Sequence, residues 1–284
     1  MDPSEDTDIT SKSDSNTSKS RRTIIARQDI SGDIVKSAAR VLQILEFFDD
    51  IQREANVVEI SSELGYPQSS TSVLLRSLVK LGYLNYSPQK RTYISSIRVA
   101  LLGSWVNSLC LREGTIIESM RELNERTGDT IVLAARNGLF AQYIHVIQAT
   151  SPARLQIGIG TVRPIATSAT GHAILSMMND DEVSQLVRRI NAESGEENSM
   201  IDVKNLLAKL SKIKSLGYAF GANLVTPGGA MLIAPLPSVS GPTQLFLGVA
   251  GIAQIMGDRK EVLATHLFET IVKHFGASPK VLYK

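Results

Sequence analysis

Cysteine and long apolar runs are both scarce in this chain, and each shortage excludes something. A single cysteine, Cys110, among 284 residues rules out an intrachain disulfide and any zinc site built on cysteine pairs. That usage fits a reducing cytoplasm. No run approaches the roughly 18 apolar residues of a membrane span, and the N-terminus lacks a charged region followed by an apolar stretch and a cleavage site. The expectation is a cytoplasmic chain, neither exported nor embedded. A surplus of one charge is missing too: 30 Lys+Arg face 28 Asp+Glu, for a net +2. Nothing global therefore advertises a nucleic-acid or membrane partner, and any basic surface must be local. Hydrophobic residues are 43% and charged residues 20%, enough apolar material for real cores, which excludes disorder throughout. The length suits two domains or one large one.

Residues 1–33 are dominated by Ser, Thr, Asp and Lys, as in Ser11-Lys12-Ser13-Asp14-Ser15. Such a segment cannot bury enough surface to offset its ordering entropy, so it reads as a disordered tail. Acidic residues outnumber basic ones there despite Arg21, Arg22 and Arg27. Val35, Ala38, Leu42, Leu45 and Phe48 then recur three and four apart, one apolar helix face. Asn56 can cap a second, short helix, with Glu59 reaching back as in a capping box. Gly65-Tyr66-Pro67 ends that helix and starts a third, running to about Leu81 with Val73, Leu74, Leu78 and Leu81 as its apolar set. Two β-rich runs at 83–86 and 91–94 flank Ser87-Pro88-Gln89-Lys90, which has turn chemistry. Three helices and a basic-tipped hairpin in this order make a winged helix-turn-helix over residues 34–98.

A helical linker is expected at 99–111 and a second domain at 112–284. Asn137-Gly138 between two apolar runs is a strong hairpin signal. Further strands are predicted at 154–159, 217–222, 230–236 and 245–252. Helices are predicted at 115–126, 168–178, 181–190, 203–216 and 258–275. The mixture is α+β around an antiparallel sheet.

A DNA-reading helix needs small or polar side chains on its first turns and apolar ones on its inner face. Gln68, Ser69, Ser70, Thr71 and Ser72 supply the first. Arg76 and Lys80 would reach phosphates farther along, and Lys90 and Arg91 at the wing tip would sit beside the duplex backbone. Residues 34–98 hold eight Lys+Arg against six Asp+Glu. Affinity for a double-stranded operator must then come from placed contacts and from the avidity of a homo-oligomer.

These residues resemble the IclR family of bacterial transcription regulators. The resemblance rests on Val35-Lys36-Ser37-Ala38-Ala39-Arg40-Val41-Leu42, on Glu59-Ile60-Ser61-Ser62-Glu63-Leu64-Gly65-Tyr66-Pro67-Gln68-Ser69-Ser70-Thr71-Ser72 and on Leu81-Gly82-Tyr83-Leu84. In the second half it rests on the run from Gly160-Thr161-Val162-Arg163-Pro164 to Ser168-Ala169-Thr170-Gly171-His172-Ala173, and on Gly217-Tyr218-Ala219 with Pro227-Gly228 and Ile233-Ala234-Pro235. It implies an effector domain like GAF and profilin-like folds, in a dimer or a dimer of dimers. Ser37 and Arg40 on the opening helix join the candidate DNA contacts, while Val73 stands where the family often has a basic residue. A small-molecule effector would sit near Gly160, Arg163, Ala169, Thr170 and His172, closed by a segment holding Leu224, Met231 and Ile233. Two positions of that segment that are frequently acidic in the family are Gly221 and Leu224 here. The expected ligand is therefore a less polar one, an aromatic or acyl compound whose acid group meets Arg163, Arg154 or His172.

Two other classes compete with an effector-responsive regulator: an enzyme fused to a DNA-binding module, and a ligand-blind architectural protein. The second half offers no serine nucleophile elbow and no His-Glu metal pair. Its histidines, His145, His172, His266 and His274, are dispersed. No catalytic residue, cofactor or metal is expected. Gly158-Ile159-Gly160 is not followed by a third glycine at Arg163, so it makes no dinucleotide loop.

Overall fold

The structure is a computed structural model that describes residues 35–102, 115–150, 155, 157–194, 200–237 and 243–283. The tail at 1–33, most of the linker, Cys110 and Arg154 lie outside them. Helices α1 (Lys36–Ile51), α2 (Val57–Leu64) and α3 (Gln68–Lys80) close on one small core. Ile44, Phe47, Phe48, Ile60, Leu75 and Leu78 meet there with Ala55 and Leu84. At the start of α2, the Asn56 side-chain oxygen accepts from the N–H groups of Val58 and Glu59, both at 3.0 Å. Glu59 does not complete a capping box, because its carboxylate is taken by Arg53. At the other end, Gly65 adopts φ 69°. The N–H groups of Gly65 and Tyr66 donate to the carbonyls of Ser62 and Ser61 at 3.3 and 2.9 Å, the Schellman pattern. The turn between α2 and α3 is thus fixed by backbone bonds, and the Tyr66 hydroxyl adds a bond to the Gln43 side chain on α1.

The inner face of α3 is Thr71, Leu75 and Leu78, four and three apart. This corrects the expected apolar set, since Val73 and Leu81 are 53% and 58% exposed. The wing pairs β2 (Leu84–Ser87) with β3 (Thr92–Ser95). A third strand, β1 (Ala55–Asn56), lies on the other side of β3. Two residues are too few to show a period, so sequence reasoning missed it. Tyr86 and Tyr93 face each other across the hairpin with rings 4.7 Å apart. A short helix, α4 (Ile97–Leu102), follows and buries none of its residues.

The second part is a six-stranded antiparallel sheet ordered β6-β5-β4-β9-β8-β7. Its strands are β4 (Thr130–Asn137), β5 (Phe140–Ile147), β6 (Val162–Pro164), β7 (Ala219–Ala222), β8 (Gly229–Pro235) and β9 (Leu245–Ile252). Helices α5 (Thr115–Thr127), α6 (Ala169–Leu175), α7 (Asp180–Ser194), α8 (Val203–Leu216), α9 (Ala253–Asp258) and α10 (Lys260–Phe275) accompany it, with a closing 3-10 turn at Pro279–Tyr283. Strand alternation explains why the central strands are apolar throughout. Val132, Ala134, Met231, Ile233, Phe246 and Ala250 point into one core with residues of α6, α7 and α8. Ile131, Leu133, Leu232, Ala234, Leu247 and Val249 point into the other with α5 and α10. The Asn137-Gly138 hairpin is present, with Gly138 at φ 58°. No strand forms at Leu155 or Ile157–Ile159; the outer strand beside β5 is β6 instead. The helix expected at 258–275 begins at Lys260, after the separate α9.

Candidate functional site

At 100° per residue, Ser69, Val73, Arg76 and Lys80, spaced four, three and four, share one stripe of α3 opposite its buried face. Gln68, Ser69, Val73, Arg76 and Lys80 are exposed. Arg76 and Lys80 have no ion-pair partner among the described residues. The other candidates are more constrained. Ser70 is half-buried and donates to the Pro67 carbonyl at 2.9 Å. Ser72 is half-buried. Thr71 is fully buried, its hydroxyl donating to the same carbonyl at 3.1 Å. It supports the start of the helix from inside and offers no surface to a duplex, which corrects its place among the contacts. Ser37 is exposed, whereas Arg40 is half-buried with its guanidinium 4.8 Å over the Tyr66 ring.

At the wing, the Lys90 ammonium lies 2.5 Å from Glu54, which also accepts from the Thr92 hydroxyl at 2.8 Å. Those two bonds hold the Glu54 carboxyl below its ordinary value. Lys90 thus ties the hairpin tip to the start of β1. Arg91 beside it is exposed at φ 55° and has no ion-pair partner among the described residues.

The second candidate site is a cavity of about 50 Å³ under the loop between β7 and β8, lined by Tyr143, Arg163, Thr170, Leu224, Thr226 and Met231 among others. Its wall is set by a close approach: a Cβ on Gly171 would stand 2.0 Å from the Ile165 carbonyl oxygen, so only glycine lets α6 lie here. Ser168 caps α6 by accepting from the Gly171 N–H at 3.0 Å. That places Thr170 with its hydroxyl 3.4 Å from the Tyr143 hydroxyl. The Arg163 guanidinium is 5.7 Å from the Tyr143 ring centroid and 3.4 Å from the Thr226 hydroxyl. Among the described residues, no Asp or Glu lines the cavity. At position 221, a Cβ would come 2.4 Å from Leu224 Cδ1. The missing side chain is what lets Leu224 fold inward. What is left holds one or two waters, at about 30 Å³ each.

Arg163, Ala169, Thr170, Leu224 and Met231 of the predicted effector set line this cavity. Gly160 does not: it is a turn residue at φ 80° whose N–H donates to the Tyr143 carbonyl at 2.8 Å. Ile233 is wholly buried in the core. His172 is buried with Nε2 2.9 Å from the Ala166 carbonyl and lines a neighbouring groove instead. Burial pushes its imidazole below the ordinary value, so at pH 7 it is a neutral ring. Sequence reasoning missed Tyr143, Ser168 and Thr226. Only Tyr143 left a signal, as a buried position alternating along β5 with the exposed Ile144 beside it.

Residues 37–88 match the family model described as the IclR helix-turn-helix domain, and residues 111–254 match that of the bacterial transcriptional regulator IclR C-terminal domain. The chain belongs to the IclR family of bacterial transcriptional regulators. It is 27% identical over 192 residues to the HTH-type transcriptional regulator KdgR of Escherichia coli (strain K12), covering 67% of this chain and 72% of that one. It is 24% identical over 204 residues to the HTH-type transcriptional regulator XynR of the same organism, covering 72% and 81%. Among solved structures, the Thermotoga maritima IclR superposes with a TM-score of 0.57 at 18% identity, over 87% of this chain and 99% of that one. An IclR-family helix-turn-helix binds DNA for regulation, so the chain is a regulator and not an enzyme. Among the described residues, no group of three or more His, Cys, Asp or Glu is placed to hold a metal, and no helix is long and apolar enough to cross a membrane.

Proposed function

We propose that this regulator reads its operator with the outer stripe of α3 and that a small molecule in the Arg163 cavity modulates that binding. In this reading Gln68 and Ser69 meet base edges. Arg76, Lys80 and Arg91, together with Ser37, meet phosphates. The module spans 34–98 and is joined by a linker at 99–111 to the sensor at 112–284, in a cytoplasmic homo-oligomer. The observation that carries the ligand side is Arg163: a guanidinium on the wall of a mainly apolar, acid-free cavity suits an aromatic or acyl body carrying one acid group. Such a ligand does not fit in 50 Å³, so it must displace Leu224, which is 48% exposed on the covering loop. That loop is held by Asn223, whose side-chain oxygen accepts from the Gly228 N–H at 2.7 Å. Binding therefore has a built-in conformational cost, through which occupancy shifts the balance between oligomer arrangements.

The test is a mobility-shift titration on fragments recovered by genome-wide mapping of bound DNA, with benzoate, hexanoate and pyruvate as probes. The expected result is that benzoate or hexanoate changes operator affinity in the native protein, while Arg163→Gln binds the operator normally and ignores both. A response confined to pyruvate would sink the ligand class, and no response to any bound compound would sink the sensor.

A further inference from the structure

Across Leu224 from the Arg163 cavity lies a larger hollow of about 390 Å³. It follows β7, an edge strand of the sheet, and is walled by α8. Its floor is apolar, with Ile213 and Leu216 from α8, Phe220 from β7, and Leu224. Its rim is cationic: Lys209 and Lys212 on α8, and Lys260 at the start of α10, with no Asp or Glu in the lining among the described residues.

The sequence of α8 explains the arrangement. Leu206, Leu210 and Ile213 form its buried face, and Lys209 and Lys212, three apart, are exposed beside one another on its flank. Like charges at this spacing cost a few tenths of a kcal/mol, and neither lysine has an ion-pair partner among the described residues. The Lys260 ammonium stands 5.7 Å from the Phe220 ring centroid. Among the described residues its ionic contact is Glu261, at 3.4 Å and on a side chain 82% exposed. Three cations thus converge on an apolar floor without a carboxylate of the protein between them. The volume lies in the range of small-molecule sites, about 300 to 1,000 Å³.

We propose that this groove binds a small amphipathic anion, its charged head among Lys209, Lys212 and Lys260 and its apolar body along Ile213, Leu216 and Phe220. The head gains three charge-assisted contacts while the lysines stay hydrated at the rim. The body contributes by leaving water. A cationic or uncharged amphiphile gains only the second part. The site is separate from the Arg163 cavity, and Leu224 and Gly221 are the residues shared by both walls. It does not depend on the ligand reading given above.

Isothermal titration of the full-length chain with octanoate, octyl phosphate and octylammonium tests the groove, with thermal melting of each variant as the check on folding. One or both anions should bind in the groove, as a single site in Arg163→Gln where the neighbouring cavity has lost its guanidinium, and octylammonium should not. Lys209→Glu with Lys212→Glu should weaken the anion at least roughly tenfold. Lys209→Arg with Lys212→Arg should retain it, and Arg163→Gln should leave it unchanged. All of the substituted lysines are exposed, so the fold should survive. The proposal is overturned by absence of binding of both anions at millimolar concentration, by equal binding of octylammonium, or by affinity indifferent to the glutamate pair. Weakening by Arg163→Gln as large as that by the glutamate pair also overturns it, because that result moves the anion into the neighbouring cavity.

Discussion

The outer stripe of α3 holds Ser69, Arg76 and Lys80 exposed and, among the described residues, without ionic partners, whereas in the cavity beside Arg163 the polar groups already touch one another. Tyr143 meets Thr170, and Arg163 meets Thr226. The first surface is ready for a ligand far larger than itself. A duplex supplies the phosphates and base edges, so the protein only has to hold the side chains out on a helix whose inner face is packed. In the function proposed above the second takes something small, and until then its polar groups satisfy one another. That reading needs close packing behind α3 and adjustment in the loop that carries Leu224.

The strongest way to break this contrast is to exchange inside for outside on α3. Leu75 is fully buried, and Leu75→Ala should cost about 3 kcal/mol, within the usual range of about 2–5 for a core leucine. Val73→Ala, two positions earlier on the outer stripe, should stay within about 0.5 kcal/mol. Urea denaturation of the two variants decides it, and equal losses would mean that the faces are misassigned. Next in size is the loss of one phosphate contact. Arg76→Ala should weaken operator binding about tenfold and lower the slope of log affinity against log salt by about one, uniformly across sequences. Measured by titration at several salt concentrations, a change in sequence preference instead would place Arg76 on a base.

How far each region was legible in the sequence follows from the same contrast. The helix-turn-helix is local: Asn56, Gly65 and Pro67 mark its boundaries within a dozen residues, and each acts through its immediate backbone neighbours. Even there, the inner face was legible only in part: Leu78 is buried and Leu74 packs on the core as expected, but Val73 and Leu81 are exposed, and Thr71 counts as polar in a hydropathy pattern yet is buried and returns its hydroxyl to the Pro67 carbonyl. The two-residue strand β1 was invisible, since it is defined only by its partner β3. The cavity is non-local: Tyr143, Thr170, Thr226 and Met231 come from β5, α6, the covering loop and β8, and no spacing in the chain connects them. Gly160 and Ile233 stand in the right motifs. Motif membership, however, does not say which way a strand residue faces, and Ile233 faces the core.

A smaller effect tests the side-chain cap at the start of α2. Asn56→Ala removes the acceptor for the Val58 and Glu59 N–H groups and should cost about 1 kcal/mol in urea denaturation. A loss below about 0.3 kcal/mol would show that water replaces the cap at no cost.

Mild acid should separate the two regions by a smaller margin still. Burial lowers the affinity of His145 and His172 for protons, so the unfolded chain takes them up near pH 6.5 while the folded rings do so only at lower pH. Stability contributed by the neutral rings is therefore complete above pH 6.5 and is lost as pH falls through their folded values. Glu54 and Glu59 titrate the other way around a different point. Their carboxyls are held below 4.5 by Lys90 and Arg53, so what they contribute is present above 4.5 and is lost below it. With the intrinsic rate, which itself falls as pH is lowered, divided out, native-state hydrogen exchange should accelerate in β5 and α6 between pH 7 and 5.5 but not in the wing; below pH 4.5 the wing should follow. His172→Gln should flatten the first phase, because the substituted amide has no proton to gain. Wing amides that accelerate together with those of the sheet between pH 7 and 5.5 would show that the two regions unfold as one unit, which is the outcome the contrast forbids.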